Sequence, residues 1–325
     1  MEFPTLDLSP LVGGRAEDVA ALARHLDAAC STIGFLAITN HGVPPTVIDG
    51  AWSAATQFFD LPLEEKQLLH SDDPEYPFGY VGMEAEALGA ADGSAANVDL
   101  KETFNLAPPA RPEVEQMGGH RLRGPEWPTK PVGFKDAWSA YYAEMEDLAA
   151  RLMRLFALAL SLPAGFFEDK IDRHMSALRA VNYPSQPVAP IAGQIRAGAH
   201  SDYGTLTILL PGQGTGGLEV ITRDGSWLPV PRIPDTFVVN LGDLMAIWTN
   251  DRWRSTIHRV VNPDAAVAAS ERRQSMAFFH QPNWDAEVSC LPTCTGADNP
   301  PKYPPTRSGP WLRQKVNASR GLVGE

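Results

Sequence analysis

The first third of the chain places its apolar residues at helical spacing. In EDVAALARHLDAACSTIG, Val19, Leu22, Leu26, Cys30 and Ile33 fall three or four residues apart, and Gly34 stands where such a helix would stop. FLAIT (Phe35 to Thr39) then reads as a strand and NHGVP as a turn. A second helix carries Ile48, Trp52, Ala55 and Phe59 on its buried side. A longer third carries Trp138, Tyr141, Met145, Leu148, Leu152 and Leu155 and ends near Pro163, its arginines making it amphipathic. Between helices two and three, Ser71 to Gly133 is loop-rich, with DLKETFNL (Asp99 to Leu106) as a short ordered island.

After about Ser176 the pattern changes to short β-rich runs separated by turn signals. The runs are LRAVNYP, LTILL, LEVIT, WLPVP, FVVNLGD, HRVVN and SMAFFH, and TRDGSW between two of them is a hairpin turn centred on Asp-Gly. No amphipathic helix of useful length interrupts them, which argues against parallel βαβ winding. The pattern predicts an α+β fold in which many antiparallel strands close into a double-stranded β-helix, a distorted jelly roll of the cupin-like kind, with flanking helices. The expected organisation is an N-terminal region of helices and one early strand over 1–110, helical support over 111–175, the β core over 176–284 and a Pro-rich tail wrapping the surface over 285–325, all as one compact unit.

A length of 325 residues allows two average domains or one large one, and 44% apolar with 20% charged residues is ordinary for a soluble globular chain. The net charge of −12 argues against a nucleic-acid or anionic-membrane partner and leaves a small-molecule substrate as the expected one. No run of about 18 uncharged apolar residues is present to span a bilayer. MEFPTLDLSP has acids and prolines where a signal peptide would have lysines followed by an apolar stretch. The odd number of cysteines, Cys30, Cys290 and Cys294, fits a reducing compartment, so a cytoplasmic location is expected. Cys290 and Cys294 lack the second pair that a structural zinc site requires.

Three His-x-Asp triplets occur. His25-Leu26-Asp27 lies in a helix, where residues two apart point in different directions, and His70-Ser71-Asp72 lies in an acidic loop. Only His200-Ser201-Asp202 adjoins a strand, where such residues project from one face and can grip one ion. His258, in WRSTIHRVVNP, opens a later strand and supplies a third ligand. Two imidazoles and one carboxylate on one face leave three open positions on an octahedral ion, as in non-haem Fe(II) oxygenases, although nitrogen and oxygen donors suit zinc as well. Arg273-Gln274-Ser275 would present a guanidinium and a hydroxyl to one side, a pair suited to a buried carboxylate.

These residues carry a family likeness. His200-Ser201-Asp202, His258, Arg273-Gln274-Ser275, Asn182-Tyr183-Pro184, GFLAITNHGV, DLKETFNL and WTNDRWRSTIHRV, in order from about Phe3 to Trp284, resemble the isopenicillin N synthase-like class of Fe(II)/2-oxoglutarate-dependent dioxygenases. The resemblance implies a non-haem dioxygenase N-terminal region before the jelly-roll core. It also implies Fe(II) held by His200, Asp202 and His258. Arg273 and Ser275 would bind the distal carboxylate of 2-oxoglutarate, and Tyr183 would add a hydrogen bond. O2 would be the oxidant, with succinate and CO2 released as a substrate C–H bond is hydroxylated or desaturated. Phe104, Arg196, Phe279 and His280 are the candidates for substrate contact. Ser201 stands where the family often has threonine, and PDAAVAAS between His258 and Arg273 is an insert that a surface loop absorbs.

Three rival readings remain at this level. GQGTGG (Gly212 to Gly217) satisfies the dinucleotide-binding pattern literally, but a strand follows it where a helix is required. An iron oxidase or cyclase that uses O2 without consuming 2-oxoglutarate would retain much the same residues. A non-catalytic binding protein on the same barrel is the third.

Overall fold

The structure, a computed structural model, describes residues 3–73, 76–90, 97–109, 124–186, 190–212 and 216–319. Part of GQGTGG and the start of the expected helical support, 111–123, lie outside them. The helices are α1 (Ala16–Thr32), α2 (Pro45–Phe59), α3 (Leu63–Gln67), α4 (Phe134–Ala159), α5 (Glu168–Ile171), α6 (Asp243–Trp248), α7 (Ala265–Ala268) and α8 (Ser308–Ser319). The strands before the β-rich half are β1 (Thr5–Asp7), β2 (Phe35–Thr39), β3 (Gly79–Val81) and β4 (Glu102–Leu106). The β-rich half holds β5 (Ala177–Tyr183), β6 (Ala197–His200), β7 (Leu206–Leu210), β8 (Leu218–Ile221), β9 (Trp227–Pro229), β10 (Phe237–Leu241), β11 (His258–Val260) and β12 (Arg273–His280). The small strands β13 (Glu287–Val288) and β14 (Thr306–Arg307) follow.

Two sheets build the core, one in the order β1-β2-β10-β7-β12-β5-β4-β3 and one in the order β6-β11-β8-β9. Among the described residues only β1 beside β2 is a parallel pair, and the other strand pairings in these two sheets are antiparallel. Because side chains alternate along a strand, the large sheet has two faces with separate work. Its outer face, with Leu36, Phe104, Leu178, Ile208, Val239 and Phe278, packs on α1, α2 and α4 around Phe58, Trp138 and Leu152 in one continuous apolar core. Its inner face meets the small sheet through Phe35, Ala37, Val238 and Val220, and through Val181, Tyr183, Ala197, Leu218 and Val260. Helices therefore cover one side of a jelly roll whose interior is the space between sheets.

The seven β-rich runs are all strands, and the three long helices lie where the periodicity places them. DLKETFNL proves to be a sheet strand, β4. His200 ends a strand of its own, β6, while Asp202 lies beyond it in the following loop, not on the same strand. The tail contains a helix, α8, and the insert before Arg273 contains the short α7. Among the described residues no helix is long and apolar enough to cross a membrane, and all three cysteines are free thiols.

Candidate functional site

The site forms where β6 and β11 run antiparallel in the small sheet. The register sets His200 directly opposite His258, and their ring centres are 4.4 Å apart. Each ring is fixed from behind. His200 Nδ1 is 2.7 Å from the Gly198 carbonyl and His258 Nδ1 is 3.0 Å from the Thr256 carbonyl. A carbonyl can only accept, so both Nδ1 atoms carry the proton and both Nε2 lone pairs are left free to coordinate. Phe35 closes one side of His258 with an edge-on contact at 5.1 Å.

Asp202 reaches the two rings from the loop between β6 and β7. Its Oδ2 accepts hydrogen bonds from Thr207 Oγ1 on β7 at 2.5 Å and Asn240 Nδ2 on β10 at 2.6 Å, both from the inner face of the large sheet. That leaves Oδ1 facing His258 Nε2 at 3.9 Å. Burial pushes the Asp202 carboxyl up, but His258, His200 and the two hydrogen bonds outweigh it and hold the group ionised. Burial, then the neighbouring His258, hold the His200 imidazole well below its usual range and therefore neutral. Two neutral imidazoles and a carboxylate make the donor set of a divalent metal, and one ligand atom from each lies within 4.8 Å of the others. The arrangement fits an ion held by three protein groups.

The loop 201–205 is tied down by distant parts of the chain. The Asp243 N–H, at the start of α6, donates to the Asp202 carbonyl at 2.8 Å. Trp311 Nε1 from α8 donates to the Tyr203 carbonyl at 3.2 Å. Thr205 Oγ1 bonds the His280 carbonyl and Nδ1 at 2.9 and 2.8 Å. Gly242 allows the closest approach, since a Cβ there would stand 2.4 Å from the Gly204 carbonyl oxygen. Thr207→Val keeps shape but removes one donor that orients Asp202. It should weaken divalent-metal binding about 10- to 100-fold, measured by competition with a chelating dye.

Along β12, Arg273, Ser275, Ala277 and Phe279 face the interior, opposite Tyr183, Val181, Arg179 and Ala177 of β5. Buried Arg273 lies over the Tyr183 ring, its Cζ 4.8 Å from the ring centre, and its Nη1 is 3.5 Å from Ser275 Oγ. The three residues expected to hold a carboxylate thus come together. Gln274 faces the other way and bonds Thr56 of α2.

Two expected substrate contacts are placed elsewhere. Phe104 is fully buried on the outer face of β4 against Phe58, Phe134 and Trp138. His280 is likewise on the outer side of β12, beside His174 and Phe278. Phe279 faces inward. Arg196 is inside the protein beside Tyr183, its Cζ 5.7 Å from the ring centre. A cluster absent from the sequence-based expectations joins Phe279: Arg179, with its Cζ 5.7 Å from the Phe279 ring, pairs with Glu86 at 3.5 Å. Lys101 bridges Glu86 at 3.3 Å and Asp99 at 2.5 Å. Glu86, from the stretch before β4, is held by these two cations with its side chain 15% exposed. The parity of β5 was the available signal, since Arg179, Val181 and Tyr183 alternate on one face.

Residues 3–130 match the family model described as non-haem dioxygenase in morphine synthesis N-terminal, and residues 175–282 match that of the 2OG-Fe(II) oxygenase superfamily. The chain belongs to the isopenicillin N synthase-like 2OG-Fe(II) oxygenases. This oxygenase is 34% identical over 296 residues to validamycin A dioxygenase of Streptomyces hygroscopicus subsp. limoneus, spanning 90% of this chain and 80% of that one. It is 34% identical to the 2-oxoglutarate-Fe(II) type oxidoreductase hxnY of Emericella nidulans, spanning 98% and 90%. A full-length Neurospora crassa protein, solved in complex with α-ketoglutarate and thymine, superposes with a TM-score of 0.84 at 30% identity, over 97% of this chain and 96% of that one. The protein is an Fe(II)- and 2-oxoglutarate-dependent dioxygenase, an oxidoreductase that oxidises a C–H bond and releases succinate and CO2. The readings as an oxidase that leaves 2-oxoglutarate unused and as a non-catalytic barrel give way to it.

Proposed function

We propose that His200 and His258, through Nε2, and Asp202, through Oδ1, hold the ferrous ion of this oxygenase, and that Arg273, Ser275 and Tyr183 hold the distal carboxylate of 2-oxoglutarate. The single observation that carries this reading is the shared inner face of β5 and β12, which groups a buried guanidinium, a hydroxyl and a phenol on strands whose Val181 and Tyr183 pack against Ala197 and Val260 of β6 and β11, the strands that carry His200 and His258. When bound, Fe(II) and 2-oxoglutarate would supply O2 activation coupled to decarboxylation, so that 2-oxoglutarate and O2 yield succinate and CO2 in either case, with substrate R–H becoming R–OH, or losing two hydrogens to give a desaturated product and water. The chain's own residues bind and orient. Thr207 and Asn240 occupy Oδ2 so that Oδ1 is the coordinating atom. The Gly198 and Thr256 carbonyls keep both Nδ1 protons away from the ion. Arg273 offers paired donors to a carboxylate in a space sheltered from water.

We place the substrate beyond Ala277, against Phe279 and the Arg179–Glu86 pair. Arg179 and Glu86 offer a donor and an acceptor, Asn105 on the same inner face has a buried Oδ1 with no hydrogen-bond partner among the described residues, and Phe279 offers a flat apolar surface. Such a wall suits a small polar molecule with hydrogen-bonding groups on one edge. Support comes from the Neurospora crassa relative, solved with thymine and with 5-formyluracil. The test is a screen of small molecules for substrate-dependent succinate release with Fe(II), 2-oxoglutarate and O2. With a substrate in hand, Arg179→Gln should raise its KM about tenfold, the worth of one charge-assisted hydrogen bond, and leave 2-oxoglutarate affinity unchanged. Loss of 2-oxoglutarate affinity in that variant would refute the division of the face.

A further inference from the structure

Arg196 precedes β6 and is 0% exposed, one of the largest fully buried side chains in the protein. Its one hydrogen bond runs from Nη2 to the Glu271 carbonyl at 3.4 Å, and its Nε and Nη1 have no hydrogen-bond partner among the described residues. Its Cζ is 5.7 Å from the centre of the Tyr183 ring, whose centre is 4.8 Å from the Cζ of Arg273. Two buried guanidiniums therefore share one phenol. Burial, then repulsion from Arg273, depress the Arg196 pKa, against the attraction of Tyr183 and Glu271. A buried cation with unmade hydrogen bonds is costly unless something completes it. Two such cations side by side make a site for an anion with more than one acceptor oxygen.

We propose that Arg196 is a co-substrate-binding residue: with Arg273 it forms a two-arginine clamp on the distal carboxylate of 2-oxoglutarate, and it does not contact the substrate. This rests on the assignment of the Arg273 pocket to 2-oxoglutarate. The clamp explains why Nε and Nη1 are left unpaired in a fully buried side chain, since a carboxylate beside Tyr183 offers two oxygens with several lone pairs. Arg196→Gln would then remove an uncompensated charge from the free protein but weaken the complex.

The test is anaerobic calorimetric titration of the Fe(II)-loaded enzyme with 2-oxoglutarate, together with thermal melts with and without it. Arg196→Gln should raise the 2-oxoglutarate Kd about 10- to 100-fold, and Arg196→Lys should raise it less. Pyruvate has the keto-acid end without the distal carboxylate. Measured by competition, it should bind wild type and R196Q within about twofold of each other. The R196Q protein alone should melt at or above the wild-type temperature, with a smaller upward shift on adding 2-oxoglutarate. An unchanged 2-oxoglutarate Kd overturns the proposal. So does an equal loss of pyruvate and 2-oxoglutarate affinity, or a lower melt of the free R196Q protein with 2-oxoglutarate affinity retained in R196K, either of which marks a structural role. A wild-type enzyme that fails to bind 2-oxoglutarate refutes the pocket assignment itself.

Discussion

His258→Ala should abolish 2-oxoglutarate turnover and lower Fe(II) affinity by well over about 100-fold, more than the loss of an outer partner costs. The His258 Nε2 is one of three donors within 4.8 Å, and the two that remain cannot define a face on an octahedral ion. Asp202→Ala should do the same to metal binding but differ in the metal-free protein. It leaves the buried Thr207 hydroxyl and Asn240 amide without their acceptor, a penalty of about 1–3 kcal/mol for each group left unsatisfied. Iron content after anaerobic loading, succinate formation, and denaturant melts of the metal-free proteins separate the two effects. Full iron occupancy in His258→Ala would refute the three-ligand assignment.

Arg273→Gln carries the second large effect. The guanidinium is buried, lies over Tyr183 and has Ser275 as its side-chain partner, at a long 3.5 Å. Truncating one member of a buried charge pair costs about 2–5 kcal/mol, so the Kd for 2-oxoglutarate should rise about 30- to several thousand-fold. Ser275→Ala removes a single hydroxyl, worth about 1 kcal/mol, and should raise Kd about fivefold. Calorimetry on the iron-loaded enzyme reads both. Iron binding should be untouched in each variant, because neither residue shares a hydrogen bond with His200, Asp202 or His258 among the described contacts. A 2-oxoglutarate Kd in Arg273→Gln that matches wild type would refute the pocket.

What the bare chain disclosed follows from how local each signal was. The β-rich runs from LRAVNYP to SMAFFH announced themselves because strand formation leaves a two-residue period in the chain. The same period, carried through RQSMAFFH from an inward Arg273, also assigns Phe279 to the interior and His280 to the helix side. Phe104 was not decidable in this way, because β4 is ordered by pairing with β5, 70-odd residues later, and only that register sets which face it presents. The settings of Arg196 and Glu86 were out of reach for a related reason. Whether a lone charge is solvated depends on groups brought to it by the fold, here Tyr183 and Arg273 for one and Lys101 and Arg179 for the other. The helix α8 hid among prolines, although Pro310 sits in its first turn, where no backbone hydrogen bond is forfeited.

The 2-oxoglutarate and substrate subsites proposed above both draw on one strand, which would make β12 a ruler. From Arg273 to Phe279 is six residues, or about 20 Å of extended chain. A single-residue insertion or deletion within that span would turn every later side chain to the opposite side and bury the wrong ones. Descendants of this chain can thus acquire new substrates by exchanging Phe279 or its neighbours, whereas changes of length are open to them only in the connecting loops.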